Sequence, residues 1–183
     1  MKTASQIAFA DPPLAKLFFN DTRMGPVWLL IRCYVGWQWL AAGWEKLMSS
    51  TWVGQHAGVA LQGFVSASLQ KTAGPHPEVA FWYATFLQHT VLPNVAFFSY
   101  LITFGELAVG IALMLGIFTG IAAFFGAYMN MNYLFAGTIS INPILFILEL
   151  FLILGWKVAG WYGVDRWLLP YVGTPWQKGK AFS

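Results

Sequence analysis

Most of the side chains that could do chemistry here sit where an apolar sequence would not place them by chance. Arg32 interrupts GPVWLLIRCYVGWQWLAAGWEKL, Glu106 stands in FGELAVGIALML, and Tyr128, Asn130 and Asn132 cluster in AYMNMNY, while Glu149 lies in ILFILELFLIL. A charge inside a long apolar helix costs a few kcal/mol on insertion scales, so each is expected to face a partner inside the protein. At 1.5 Å of rise per residue, Arg32 falls ~10 Å from one end of its run and Glu106 near the middle of its own. An arginine side chain can climb that difference, and a charge-assisted Arg32–Glu106 pair is the first expectation. Asn130, Asn132 and Glu149 fall at a common height one layer further out. Tyr128 and Asn132, four residues apart, share a helical face from which Glu149 could receive hydrogen bonds. Lys157 is placed to snorkel to the headgroups or to reach Glu106. A protonatable carboxyl beside asparagine and tyrosine donors suits a quinone headgroup or a proton relay. Such groups also serve packing and register alone, and that reading stands beside the first.

The elements that must position these residues are helices in a bilayer. Hydrophobic residues make up 58% of the 183 and charged residues 9%, far below the roughly 25% of a soluble domain. Mean hydropathy is +0.60. The net charge of +3 comes from basic residues scattered beside apolar runs, which reads as a topology signal and excludes a nucleic-acid surface.

Four spans are expected, at about 26–44, 94–115, 117–136 and 142–160. The four residues Gly116–Thr119 link the second and third, which makes those two antiparallel neighbours. The connection 48–93 is too polar to span. Leu61, Phe64, Val65 and Leu69 share one helical face, and after GPHP the set Val79, Trp82, Tyr83, Phe86 and Leu87 repeats at helical spacing. Two amphipathic helices capping one end of the bundle are predicted. Leu14, Leu17 and Phe18 predict a short surface helix before the first span. The tail, rich in Trp and Tyr, is expected at the membrane interface. Lys2, Lys16 and Arg23 precede the first span, and Arg166, Lys178 and Lys180 follow the last, which puts both termini in the cytoplasm and the cap outside the cell membrane. The fold expected is a single all-α domain, a four-helix membrane bundle with an outer cap.

Cofactor signals are sparse. Cys33 is the single cysteine, so neither a disulfide nor a thiol relay forms within the chain. His56, His76 and His89 lie in or near the cap without metal-ligand spacing, and no haem, flavin or nucleotide motif is found.

These runs resemble the DoxX/DoxD membrane proteins, most closely the large-subunit type of thiosulfate:quinone oxidoreductase. The resemblance is carried by DTRMGPVWLLIRCYVGWQWLAAGWEKL, with Arg32, Gly43 and Lys46, and by FGELAVGIALMLGIFTG, with Glu106. It continues in MNMNYLFAGTISINP, with Asn130, Asn132 and Asn142, and in WKVAGWYGVDRWLLP, with Asp165 and Arg166. Trp161 stands where many relatives have arginine. The resemblance implies a membrane subunit that couples oxidation of thiosulfate to tetrathionate with reduction of a membrane quinone, beside a separate small subunit. On this reading, with the layer geometry above, Arg32, Glu106 and Glu149 are the expected catalytic set and Tyr128, Asn130 and Asn132 the expected quinone contacts. Lys46 would attract an anionic substrate at the outer mouth. The alternative is a non-catalytic subunit that scaffolds a larger membrane complex, and a proton or small-solute conduit is a third reading.

Overall fold

The computed structural model describes residues 11–172, and every regular element among them is helical. Lys2, Lys178, Lys180 and the end of the aromatic tail lie outside the described residues. In chain order the α-helices are α1 (Pro13–Asn20), α2 (Gly25–Leu47), α3 (Val59–Gln70), α4 (Phe81–Phe86), α5 (Val95–Leu115), α6 (Thr119–Phe135), α7 (Asn142–Leu154), α8 (Trp156–Ala159) and α9 (Asp165–Val172). The boundaries follow local chemistry. Prolines 13, 26 and 143 stand in the first turns of α1, α2 and α7, where a missing N–H costs nothing. Gly116, at φ +69°, ends α5 in the left-handed conformation that side chains resist.

Two sequence expectations shift here. Pro93 does not separate the cap from the second span. A π-helical turn over Leu87–Val91 and a 3-10 turn over Leu92–Asn94 absorb it, so the helix runs unbroken from Phe81 to Leu115. Proline removes one hydrogen bond and crowds the carbonyl four residues back, and a locally widened turn relieves both. The last apolar run, by contrast, is broken at Gly155 into α7 and α8.

Among the described residues, Phe81–Leu115 is the one helix both long and apolar enough to cross a membrane. With 23 residues α2 has the length but carries Arg32, Glu45 and Lys46, while α6 and α7 have 17 and 13 residues.

The order around the bundle follows the order along the chain. α2 packs against α5 along most of its length, and α6 does the same against α7. The α2–α5 pairing is antiparallel: Lys46 meets Glu106, Gly43 meets Leu107, Leu40 meets Gly110 and Gly36 meets Leu113. A Cβ on Gly110 would lie 2.5 Å from the Leu40 backbone nitrogen, so this crossing depends on glycine. α2 also touches α7 and α5 touches α6, closing the ring α2, α5, α6, α7. As their four-residue link predicts, α5 and α6 are neighbours, and a groove of about 570 Å³ is lined by side chains of both.

The connection between α2 and α5 is helical as expected, but its second helix is the start of the one that continues through α5. Leu61 and Val65 of α3 bury against Val79, Tyr83, Leu87 and Val91. Ser99 Oγ donates to the Trp52 carbonyl at 2.6 Å, and Lys71 Nζ to the Gly137 carbonyl at 2.5 Å, tying the cap to both halves of the bundle. Large apolar side chains, among them Leu30, Trp37, Phe104, Phe124, Ile147 and Leu154, stay exposed around the helices.

Candidate functional site: two carboxylates behind a groove

α2 shows one face to the bundle interior through Trp28, Arg32, Val35, Gly36, Trp39 and Gly43, a helical three-and-four spacing. One further step of three reaches Lys46. Its ammonium turns inward to Glu106 on α5, Nζ to Oε2 at 2.7 Å, and lies 5.1 Å from the centre of the Trp52 ring. The second Glu106 oxygen accepts from the Tyr133 hydroxyl of α6 at 2.5 Å. Glu106 is 1% exposed and the Lys46 side chain 17%, so the pair has one wet end and one dry one.

The second carboxylate, Glu149 on α7, is wholly buried. It accepts from Trp39 Nε1 at 2.5 Å and from Asn130 Nδ2 at 2.7 Å. Gly126 makes room, since a Cβ there would lie 2.6 Å from Glu149 Oε1. Asn130 Oδ1 has no partner. The Trp39 ring stacks on the Tyr133 ring with centroids 6.4 Å apart, so the partners of the two carboxylates form one aromatic wall.

Tyr133 also lines the groove, together with Tyr128, Met129 and Asn132 of α6 and Phe98, Gly105 and Ala112 of α5. The lining is almost wholly apolar. At the cap end, Tyr83 donates its hydroxyl to the Asn132 backbone carbonyl at 3.0 Å, with the Asn132 Oδ1 at 3.2 Å. Exposed Leu101, Ile121 and Phe125 on its rim leave the groove open to the surroundings of the bundle along one side.

The predicted Arg32–Glu106 pair does not form. In the α2–α5 register Arg32 lies opposite Gly116, ten residues or ~15 Å of helix from Glu106. Its Nη2 donates to the Tyr162 carbonyl at 2.9 Å. Nor does Lys157 reach Glu106; its ammonium lies 6.0 Å from the Trp156 ring. The Tyr128–Asn132 face does not serve Glu149 either. At 100° per residue, Asn130 points away from both, and it is Asn130 that turns inward. Tyr128 is 53% exposed, and Asn132 Nδ2 donates to the Tyr128 carbonyl. Lys46 is bound to a carboxylate rather than facing outward alone. Of the predicted site residues, Glu149 and Asn130 meet each other, Tyr128 and Asn132 line the groove, and Arg32 stands apart.

Trp39 and Tyr133 were not singled out by sequence. Each hides among many aromatics, ten tryptophans and seven tyrosines in all. The three-and-four spacing from Trp28 to Lys46 is the signal that groups Trp39 and Lys46 with Arg32. Asp165 is a third buried carboxylate, accepting from the Phe118 and Thr119 amides at 2.6 and 2.8 Å and so capping α6. Burial pushes its carboxyl above the ordinary aspartate range, against the pull of those amides.

The DoxX family model matches residues 27–139, more than half of the chain, and the chain belongs to that family. Comparison with curated proteins and with solved structures returns no match.

Proposed function

From this membership and the groove, we propose that the protein is a four-span membrane subunit of a quinone-linked oxidoreductase, with thiosulfate as the electron donor that the sequence resemblance suggests. The observation that carries the reading is Tyr133. One side chain both lines a membrane-length apolar groove and hydrogen-bonds a buried carboxylate whose lysine partner reaches toward water. The exposed apolar girdle supports the four spans, because so much apolar surface is stable only against lipid.

The groove fits a quinone: it is open to the side, apolar along its length, and carries Tyr128, Asn132 and Tyr133 toward one end. A quinone supplies the electron acceptor, taking up two electrons and two protons as two thiosulfates join into tetrathionate. In this chain Tyr133 would donate a hydrogen bond or proton at the groove wall. Glu106 would resupply it, and Lys46 would hold Glu106 and link it to the aqueous side. Glu149 and Asn130 brace Trp39, which backs the Tyr133 ring. Electrons pass from donor to acceptor or through a partner subunit.

The test is thiosulfate-dependent quinone reduction by membranes carrying the protein. Tyr133→Phe and Glu106→Gln should each lower the rate about tenfold or more; unchanged rates in both would overturn the assignment. A second reading, a non-catalytic scaffold subunit, is favoured by one observation: all four oxygens of Glu106 and Glu149 are already taken by this chain's own donors. Mild-detergent purification separates the two. A chain recovered with bound quinone supports the first, and one found only inside a larger assembly without donor-dependent activity supports the second.

A further inference from the structure

At the end of the bundle away from the cap, the chain from Gly160 to Val164 folds over the α5–α6 turn. The Val164 and Asp165 amides donate to the carbonyls of Leu115 and Gly116 at 3.1 and 2.8 Å. Beneath this lid lies the Arg32 guanidinium, 1% exposed. Its Nη1 presses against the backbone of Gly116 and Gly163, where a Cβ on Gly163 would approach it to 2.6 Å. Both Nη1 and Nε lack partners. The carboxylate whose field reaches Arg32 is Asp165, and both its oxygens are spent on the α6 amides.

Above Gly163 a second cavity, about 370 Å³, is lined by Leu115, Trp161, Tyr162, Val164, Arg166 and Trp167. Arg166 is exposed, with its guanidinium 4.9 Å from the centre of the Trp161 ring, and no carboxylate pairs with it among the described residues. A half-satisfied buried cation under a glycine floor, an exposed arginine at the rim with no carboxylate partner among the described residues, and two flanking indoles make a positive, partly desolvated hollow. Tryptophan and arginine together are the side chains that sit at headgroup level.

We propose that this hollow holds the phosphate of an anionic phospholipid, with Arg166 as its direct partner and Arg32 supplying charge from below the Gly163 backbone. The inference rests on the membrane reading above but not on the redox one. The occupant is a lipid rather than a free anion because Trp167, Tyr162 and Val164 surround the site with exposed apolar surface that acyl chains would cover.

The experiment uses the full chain in mild detergent, titrated with phosphatidylglycerol, with phosphatidylcholine, or with inorganic phosphate, and read by native mass spectrometry and thermal unfolding. Phosphatidylglycerol should bind and raise the unfolding temperature more than phosphatidylcholine does. Arg166→Gln should weaken that preference about fivefold, one basic residue's share at a membrane surface, and Arg166→Lys should retain most of it. Arg23→Gln, a basic residue of the same end, should leave it unchanged. Equal binding of the two lipids, a preference untouched by Arg166→Gln, or the same stabilisation by inorganic phosphate would each overturn the proposal. Failure to insert into phosphatidylcholine vesicles would instead sink the membrane reading beneath it.

Discussion

Lys46 and Glu106 close an ion pair at 2.7 Å from helices that run antiparallel, sixty residues apart in sequence. The two partners are not equivalent, because Lys46 keeps a path to water and Glu106 does not. Lys46→Met strands a carboxylate in the bundle and should cost about 3–5 kcal/mol. Glu106→Gln leaves an ammonium free to turn outward, and should cost less while still accepting from Tyr133. The double variant should resemble Glu106→Gln alone. Thermal unfolding in detergent reads all three; equal losses for the two single variants would contradict the asymmetry.

Glu149→Gln tests whether that carboxylate is needed as a charge. A glutamine oxygen still accepts from Trp39, and its amide can donate to Asn130 Oδ1, the atom now without a partner, once the Asn130 amide turns over. Stability should stay within about 1 kcal/mol. Glu149→Leu should cost about 1–3 kcal/mol by stranding the Trp39 and Asn130 donors. A loss of activity in the glutamine variant with folding intact would then isolate a role for the charge.

Two glycines on α5 should respond oppositely to alanine. At Gly110 the added methyl meets Leu40 backbone, which cannot yield, so the α2–α5 pair should come apart and detergent-soluble protein should fall sharply. At Gly105 it meets only the sulfur of Met129 at 3.4 Å, and Gly105 lines the groove. Gly105→Ala should fold normally, and quinone retention after purification should drop. Normal folding of Gly110→Ala would refute the packing argument.

Asp165 accepts two backbone N–H groups with its two oxygens, and an asparagine can accept with one. Asp165→Asn should therefore cost about 1–3 kcal/mol at neutral pH by stranding a buried amide. The pH dependence has a definite sign. Because burial raises the folded-state pKa, the folded protein holds more protons than the unfolded chain across the interval from the ordinary value to the raised one. The stability from this group is full below the ordinary aspartate value and is lost as pH rises through the folded pKa. Denaturant midpoints across pH 3–7 should fall with pH over that interval more steeply in the wild type than in Asp165→Asn; parallel curves would argue against it.

Sequence periodicity resolved most elements because apolar helices write their faces plainly. The first helix, the cap helix at Val59–Gln70 and the α5–α6 turn all stand close to where spacing and glycines put them. Partner choice was harder to read. Depth along a helix follows from span ends, yet the pairing of Lys46 with Glu106 depends on the α2–α5 register, which Gly36, Gly43 and Gly110 set through backbone contact. The groove was invisible for a related reason. A four-residue link implies adjacency, which α5 and α6 show, but nothing local reveals that their side chains leave a groove between them.

That arrangement has a consequence for how the protein is made. Of the long helices α2 leaves the ribosome earliest, carrying two cations whose partners lie later in the chain. Lys46 must await a residue sixty positions later, and Arg32 the carbonyl of Tyr162, 130 positions later. At roughly 5–20 residues per second, those waits are on the order of 3–12 s and 7–26 s. For that time α2 is a poor candidate for the bilayer interior, whereas Phe81–Leu115 can enter on its own hydropathy. On the membrane reading proposed above, α2 would settle only after the later helices have built a place for it.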